Sequence, residues 1–177
     1  PRRQILCIPN LKDKNQSGTE QQLKYTFMKC AAKEIYFLWI KFKEDNQKEK
    51  DAKSQNDEVQ NQLNRGTIPE EFERQMFYTY GDFKDLFMGK DIGKSVNDVL
   101  KVKNNIDGIF SKKDDTKRKE WWENNKSHIW QAMVCGLSHH IDDEGARKRF
   151  TKNSTYQYST VSNKLEEFSS RPQFLRW

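Results

Sequence analysis

The chain has 177 residues, of which 34% are hydrophobic, 12% aromatic and 33% charged, with a net charge of +6 at neutral pH. This length fits one ordinary domain with its own core. The 11 Phe, 6 Tyr and 5 Trp argue against a disordered chain, and no apolar run approaches the ~20 residues that span a bilayer. The charge favours an acidic partner: a sulfated glycan, a nucleic acid, an anionic membrane or an acidic protein surface. Any targeting or anchoring signal is expected outside this segment.

The first predicted helix follows an irregular lead-in at residues 1–18. Thr19 and Gln22 form a capping-box pattern at its start. Apolar residues then recur at helical spacing: Leu23, Phe27, Cys30, Ala31, Ile35, Leu38, Trp39 and Phe42. Residues 43–65 are charged and rich in Gln and Asn, with almost no apolar face. They predict either a solvated helical extension or, as we favour, a low-complexity insertion that is mobile in part.

Three more helices are predicted between Gly66 and residue 137. Pro69 opens one at its first turn, and Gly89 and Gly93 mark its end. Another covers residues 95–112, and a third covers residues 115–137. Apolar side chains mark one face of the third helix, with its basic residues and Asn125 largely off that face: Trp122, Ile129, Trp130, Met133, Val134 and Leu137.

The C-terminal part of the sequence predicts less regular structure. Residues 138–164 are polar and rich in turn-forming residues. Their alternating stretch YQYSTV at 156–161 is compatible with a brief strand, although we favour a loop. A last helix is expected to start at Pro172.

Catalysis and metal binding find little support in the sequence. His139 and His140 lie close to Asp142, Asp143 and Glu144, but residues so near in the chain rarely converge on one ion, which favours a solvated loop. Cys135 and His128 lie two helical turns apart, yet the apolar neighbours of the cysteine favour a structural role. None of the common nucleophile, phosphate-binding or zinc-protease motifs is present. We therefore expect no enzyme, no cofactor and no metal site.

The tryptophans admit two interpretations, a stacking platform for a ligand or a packed core. They keep step with aliphatic neighbours, which favours the core and leaves the lysine-rich flanks exposed. Trp121, off the main stripe, is the least clearly buried. The predicted structural core is Trp39, Phe72, Phe77, Trp122, Trp130 and Phe174.

The best candidate ligand-binding residues are basic. Arg147, Lys148, Arg149 and Lys152 fall in the predicted loop, where side chains are free to meet a ligand. They favour a sulfated partner, although most charge clusters are simply solvated faces.

Five motifs together resemble one family, the Duffy-binding-like domains, and most closely those of the variant erythrocyte membrane proteins of the malaria parasite Plasmodium falciparum. The motifs extend from one end of the chain to the other: PRRQILC at 1–7, KCAAKEIYFLWIKFK at 29–43, GTIPEEFERQMFYTYGDFKDLFMGKDIG at 66–93, WWENNKSHIWQAMVCGL at 121–137 and PQFLRW at 172–177. The resemblance implies an all-α, disulfide-tied fold of amphipathic helices with long loops. It identifies residues 1–177 as a single domain fragment, with a first helical part at 1–65, a helical bundle at 66–177 and no third subdomain.

The resemblance also implies structural roles for Cys7, Cys30 and Cys135. Family members typically carry a cysteine where Phe87 or Met88 stands, so the pairing of Cys7 with Cys30 stays open.

The function implied by the resemblance is host-receptor binding and cytoadhesion with antigenic variation, without catalysis or nucleic-acid binding. A protein receptor on endothelium, such as intercellular adhesion molecule, is the first expectation. The alternative is a sulfated glycosaminoglycan, chondroitin or heparan sulfate. The expected location is the extracellular face of the infected erythrocyte, within a larger, membrane-anchored multidomain protein.

Overall fold

The protein is all-α. A computed structural model describes residues 8–47, 52–90, 97–110 and 115–172, and these ranges contain helices and connecting turns without a strand. The α-helices are α1 (Lys14–Ser17), α2 (Glu20–Gln47), α3 (Ala52–Asn64), α4 (Glu70–Met88), α5 (Asn97–Ile109), α6 (Asp115–Ser138), α7 (Glu144–Thr151) and α8 (Tyr158–Ser170). Short 3-10 helices cover Pro9–Lys12 and Ser154–Tyr156.

The start of α2 follows the capping pattern in the sequence. The backbone N–H of Gln22 donates to Oγ1 of Thr19 at 3.2 Å. The Gln22 side chain accepts in turn from the N–H of Gly18 at 3.2 Å, so two N–H groups outside the helical hydrogen-bond ladder are satisfied. The helix therefore begins where the sequence predicts.

The ends of α4 are set by a proline and a glycine. Pro69 occupies the N-cap position and acidic residues fill the first turn, where they complement the helix dipole. Gly89 ends the helix with a φ of 68°, and its N–H reaches the carbonyls of Asp85 and Leu86. This left-handed conformation is accessible to glycine at little cost.

The longest helices, α2 and α6, pack side by side and run in the same direction. Nε1 of Trp121 donates to the carbonyl of Glu20 near their first turns. Further along, Gly136 lies directly against the backbone of Ala32. The two parts expected from the sequence thus share one hydrophobic cluster.

The tryptophan-rich stretch forms the centre of this core. Trp122 and Trp130 are completely buried, and Trp121 is 5% exposed and stacks on Phe87 with ring centroids 4.5 Å apart. Nε1 of Trp130 donates to the carbonyl of Tyr156 at 2.8 Å. Of the other residues assigned to the core from the sequence, Trp39, Phe72 and Phe77 are buried, and Phe174 lies outside the described residues.

The prediction of a mobile insertion at residues 43–65 is wrong for its described part. α2 continues through Gln47, and α3 covers Ala52–Asn64. Leu63 is completely buried, and the Gln60 side chain accepts from Nε1 of Trp39 at 3.3 Å. A single leucine and a central glutamine thus anchor a segment that shows almost no apolar periodicity.

The loop predicted at 138–164 is also wrong. α7 and α8 occupy most of this range, and α8 ends at Ser170. The helix predicted to start at Pro172 lies outside the described residues, which end at that proline. α8 is mostly polar but buries Val161 and Leu165 against the bundle. Tyr158, Val161, Leu165 and Phe168 do recur at helical spacing, but the polar composition and the short alternation in YQYSTV favoured a loop instead.

Several polar residues of α6 that we expected in solvent are buried. Arg118 forms an ion pair with Asp107, and the Asn125 side chain donates to the carbonyl of Trp121 at 2.7 Å. The Lys126 side chain is only 18% exposed and pairs with Glu166. Some polar neighbours of the tryptophans are therefore packed against other helices, whereas the lysines at positions 117 and 119 are exposed, as the sequence predicts.

Candidate interaction surface

Aromatic side chains reach solvent mainly on α2. Most large hydrophobic residues in the described part of the chain are buried, but Tyr25, Tyr36 and Phe37 of α2 and Leu100 of α5 are exposed. Phe37 is the most exposed of them, at 57%. Scattered apolar side chains are normal on a protein surface, whereas adjoining aromatic rings indicate an interaction site.

Tyr36 and Phe37 form a cluster with His140 that we call the aromatic ledge. The rings of Tyr36 and Phe37 meet edge to face, with centroids 5.4 Å apart. Tyr36 stacks on the His140 imidazole at 4.3 Å, with 21° between the ring planes. The ledge thus combines two exposed rings with a half-buried imidazole that supports them.

His140 is held as a neutral support for Tyr36. Its Nε2 donates to the Tyr36 carbonyl at 2.9 Å, and its own carbonyl accepts from Nε2 of Gln60 at 2.9 Å. Burial lowers the pKa of His140 below its ordinary value, against the opposing effect of the bond to the Tyr36 carbonyl. The imidazole is therefore uncharged at neutral pH.

Three helices keep the ledge in place. α2 carries Tyr36 and Phe37, α6 ends just before His140, and α3 supplies Gln60. The close contact of Gly136 with Ala32 fixes α2 against α6 one turn away. Because the supporting groups are buried or hydrogen-bonded, the rings are presented with little conformational freedom to lose on binding.

The basic residues predicted to bind a ligand lie on α7 and at its end rather than in a loop. Arg147 donates from Nε and Nη2 to the carbonyl of Ile141, at 3.3 and 2.9 Å, so it serves the fold. Lys148 pairs with Glu144 at 2.7 Å, and Arg149 lies 3.9 Å from Asp143. Lys152 is exposed at the helix C-terminus. Two of the four positive charges, those of Lys148 and Arg149, therefore have a carboxylate nearby within α7 and its N-cap.

A cleft of about 340 Å³ separates the end of α3 from α7. Its lining residues are Asn64, Arg65, Gly66, Ala146, Arg149, Phe150 and Asn153. Arg65 and Arg149 bring two guanidinium groups to this cleft, and Asn153 donates across it to the Gly66 carbonyl at 3.4 Å. Arg149 is thus a candidate basic residue that lines this cleft.

Comparison with known families relates the sequence of this chain to one of them. Residues 1–176 match the Duffy binding domain, which is nearly the whole chain. The chain belongs to the Duffy binding domain family.

Curated relatives of this Duffy binding domain come from other Plasmodium species. The Duffy receptor of Plasmodium vivax is 32% identical over 77 residues, which cover 42% of this chain and 7% of the receptor. The alpha form of the Plasmodium knowlesi Duffy receptor is 27% identical over 109 residues, or 60% of this chain and 9% of the receptor. The beta form is 25% identical over 180 residues, or 99% of this chain and 13% of the receptor. No solved structure matches significantly.

The cysteines and the histidine–carboxylate group of the Duffy binding domain were the remaining candidates for chemistry. Cys30 is buried, Cys135 is exposed and forms no disulfide with a described residue, and Cys7 lies outside the described range. The structural role expected for Cys135 stays a prediction. No group of three or more His, Cys, Asp or Glu side chains in the described ranges could hold a metal ion. None of the described helices has the length and apolar character required to cross a membrane.

Sequence reasoning missed the aromatic ledge because it looked for a ligand site among the basic residues and the tryptophans and did not single out Tyr36 and Phe37. The available signal was the position of Tyr36 and Phe37 off the stripe formed by Ile35, Leu38 and Trp39. The contribution of His140 could not be read from the sequence, since it comes from a helix about 100 residues away.

Proposed function

We propose that this Duffy binding domain is an adhesion domain that binds a protein receptor on host endothelium, with intercellular adhesion molecule as the first candidate. The family supports a role in receptor binding, as do relatives that are named Duffy receptors. The chain spans about a tenth of the length of these relatives, so this proposal concerns the domain and not the parent protein as a whole.

The aromatic ledge is the structural feature that most directly supports the proposal. Exposed Tyr and Phe side chains on a rigid support are typical of the few residues that dominate protein–protein binding energy. Phe37 offers an apolar ring, and Tyr36 adds a hydroxyl that can pair at the edge of an interface. The local pairing of Lys148 and Arg149 makes a polyanion site on α7 the weaker alternative.

The five motifs from residue 1 to residue 177 support the narrower proposal that the parent protein is a variant erythrocyte membrane protein of Plasmodium falciparum. In that setting the domain lies on the extracellular face of the infected erythrocyte, within a larger membrane-anchored protein. It mediates cytoadhesion and varies antigenically. The activity involves neither catalysis nor a cofactor.

Binding to immobilised receptor ectodomains, including intercellular adhesion molecule, tests the proposal with Phe37→Ala. Loss of an exposed aromatic anchor is expected to weaken binding about 30-fold, which corresponds to ~2 kcal/mol. Leu100→Ala is the matched control, since Leu100 is a comparably exposed apolar residue on a different helix. Its affinity should stay within about twofold of the unmodified chain, as for a near-neutral peripheral position. Equal effects of the two substitutions, or no binding to any ectodomain, would refute the proposal.

A second candidate function is binding of a sulfated glycosaminoglycan, chondroitin or heparan sulfate. The observation in its favour is the cleft that Arg65 and Arg149 line together. Guanidinium groups bind sulfate-like oxyanions with good geometry.

A further inference from the structure

The aromatic ledge continues into a longer exposed face of α2. Tyr25, Lys29, Lys33 and Tyr36 follow one another at intervals of three or four residues, and Phe37 adjoins the last of them. All five are exposed. Because residues at this spacing share one side of a helix, they form a continuous band about 18 Å long, which we call the α2 stripe.

The lysines of the α2 stripe carry uncompensated charge. Neither Lys29 nor Lys33 forms an ion pair with a carboxylate of the described residues. By contrast, Lys12, Lys41 and Lys148 pair with Asp98, Asp45 and Glu144 at 2.8, 3.1 and 2.7 Å. The stripe therefore presents two free ammonium groups between exposed aromatic rings.

Local composition keeps the α2 stripe positive. Between residues 21 and 37, Glu34 is the only acidic residue, against Lys24, Lys29 and Lys33. A cleft of about 500 Å³ beside the start of α2 is lined by Glu20, Lys24, Lys117 and Glu120, whose charges balance. With Lys24 balanced in this cleft, Lys29 and Lys33 remain against Glu34, which leaves this part of α2 with one excess positive charge.

We propose that the α2 stripe recognises an acidic surface of the receptor protein, with Lys29 and Lys33 facing Asp or Glu side chains and Tyr36 and Phe37 forming the apolar contact. This inference rests on the proposed function, because it specifies the partner of the same site. Charge complementarity carries it: two unpaired ammonium groups fit carboxylates, and the adjoining rings fit a protein surface better than a hydrated polysaccharide.

Complementary charge at an interface acts mainly on the rate of association and on its dependence on salt. The lysines should therefore guide the receptor toward the stripe, and the aromatic ledge should hold the complex together. Substitution of the lysines changes the association rate, whereas substitution of Phe37 changes the dissociation rate. The two effects are separable in one kinetic measurement.

The test compares Lys29→Glu/Lys33→Glu with Lys101→Glu/Lys119→Glu in binding kinetics on immobilised intercellular adhesion molecule. Lys101 and Lys119 are exposed on α5 and α6, so both variants change the net charge equally. At low salt the stripe variant should associate about tenfold more slowly than the control, with dissociation changed less than about threefold. The difference should disappear near 0.5 M salt, where such interactions are screened over ~4 Å.

The binding results separate the acidic-partner inference from the protein-receptor proposal. If Phe37→Ala abolishes binding but the two lysine variants associate equally, the acidic-partner inference is wrong and the protein-receptor proposal stands. If the stripe lysines control heparin binding but not receptor association, the stripe is a glycan site and the inference is wrong. If no receptor binds, both proposals fail together.

A second measurement checks the electrostatic potential at the α2 stripe in the absence of any receptor. Paramagnetic relaxation of backbone amides 29–37 should be stronger with an anionic nitroxide than with a neutral one. This difference between the two probes should be larger at residues 29–37 than at Lys101. Equal enhancement at the two places would overturn the inference regardless of which receptor is used.

Discussion

Gly136 is the residue on which the packing of α2 against α6 depends. A Cβ atom at this position would lie 2.2 Å from the Ala32 carbonyl oxygen and 2.8 Å from its carbon. Both atoms belong to the backbone, so neither can rotate away. Glycine is required here by close approach of two helices rather than by a special backbone conformation.

Gly136→Ala is therefore expected to destabilise the protein by about 3 kcal/mol or more, since overpacking against backbone forces the helices apart. Gly108→Ala provides the control within a helix. A Cβ on Gly108 meets nothing within 4 Å, so alanine should stabilise α5 by about 0.5–1 kcal/mol. Urea unfolding of the two variants measures both effects. A Gly136→Ala variant as stable as the unmodified chain would contradict the close approach.

At the scale of elements, α8 is attached to the bundle through polar groups as well as apolar ones. Glu166 of α8 accepts from Lys84 of α4 at 2.7 Å and from Lys126 of α6 at 3.3 Å. Tyr158 donates to the same carboxylate at 3.3 Å. Burial by itself would raise the pKa of Glu166, but the hydrogen bonds and charges of Lys84 and Lys126 together lower it.

This lowered pKa makes the attachment of α8 pH-dependent. The folded protein holds Glu166 ionised at pH values where the unfolded chain begins to protonate it, so stability falls as the pH drops below about 5. Glu166→Gln should make the free energy of unfolding less dependent on pH in this range. At pH 7 it should lower the free energy of unfolding by about 1 kcal/mol, a modest value because the side chain is 38% exposed. Thermal unfolding between pH 3 and pH 7 measures the dependence.

The neighbouring Glu167 offers the control for this prediction. Its pair with Arg171 is exposed and lies within one helix, so Glu167→Gln should change stability by at most ~0.5 kcal/mol. Identical pH profiles for Glu166→Gln and the unmodified chain would show that the lysines do not stabilise the carboxylate.

In α7, the secondary structure determines what the basic side chains contact. In a loop, Arg147, Lys148 and Arg149 would be free to converge on one ligand. On a helix, Lys148 meets Glu144 one turn earlier and Arg147 turns toward the carbonyl of Ile141. The same residues therefore become helix-stabilising and structural contacts.

At the scale of the whole molecule, the net charge of +6 ensures some affinity for any polyanion. Binding at a specific glycan site depends on which basic residues are replaced, whereas this general attraction depends on the net charge wherever the replaced residues lie. We expect Arg65→Glu/Arg149→Glu to lower the salt concentration that elutes the chain from heparin no more than Lys101→Glu/Lys119→Glu does. A clearly larger decrease for the Arg65/Arg149 variant would instead support the glycosaminoglycan function. Arg147 is excluded from this comparison, since its guanidinium holds the Ile141 carbonyl.

The sequence by itself determined the all-α class, the family and most of the core. Aromatic residues such as Trp39, Trp122 and Trp130 lie on stripes with a helical period, and this local pattern predicts which face turns inward. The starts of α2 and α4 follow from Thr19 and Pro69, because capping involves residues close together in the chain.

Only the tertiary structure decided how α3, α7 and α8 pack and which groups support the exposed aromatic rings. α3 is held by Leu63 and Gln60, contacts too sparse to leave a periodic signal, and α8 by a short apolar stripe and by Glu166, whose partners lie on other helices. The aromatic ledge exists because His140 meets Tyr36 across 104 positions of sequence. Such contacts depend on the placement of whole helices, and no local pattern contains that information.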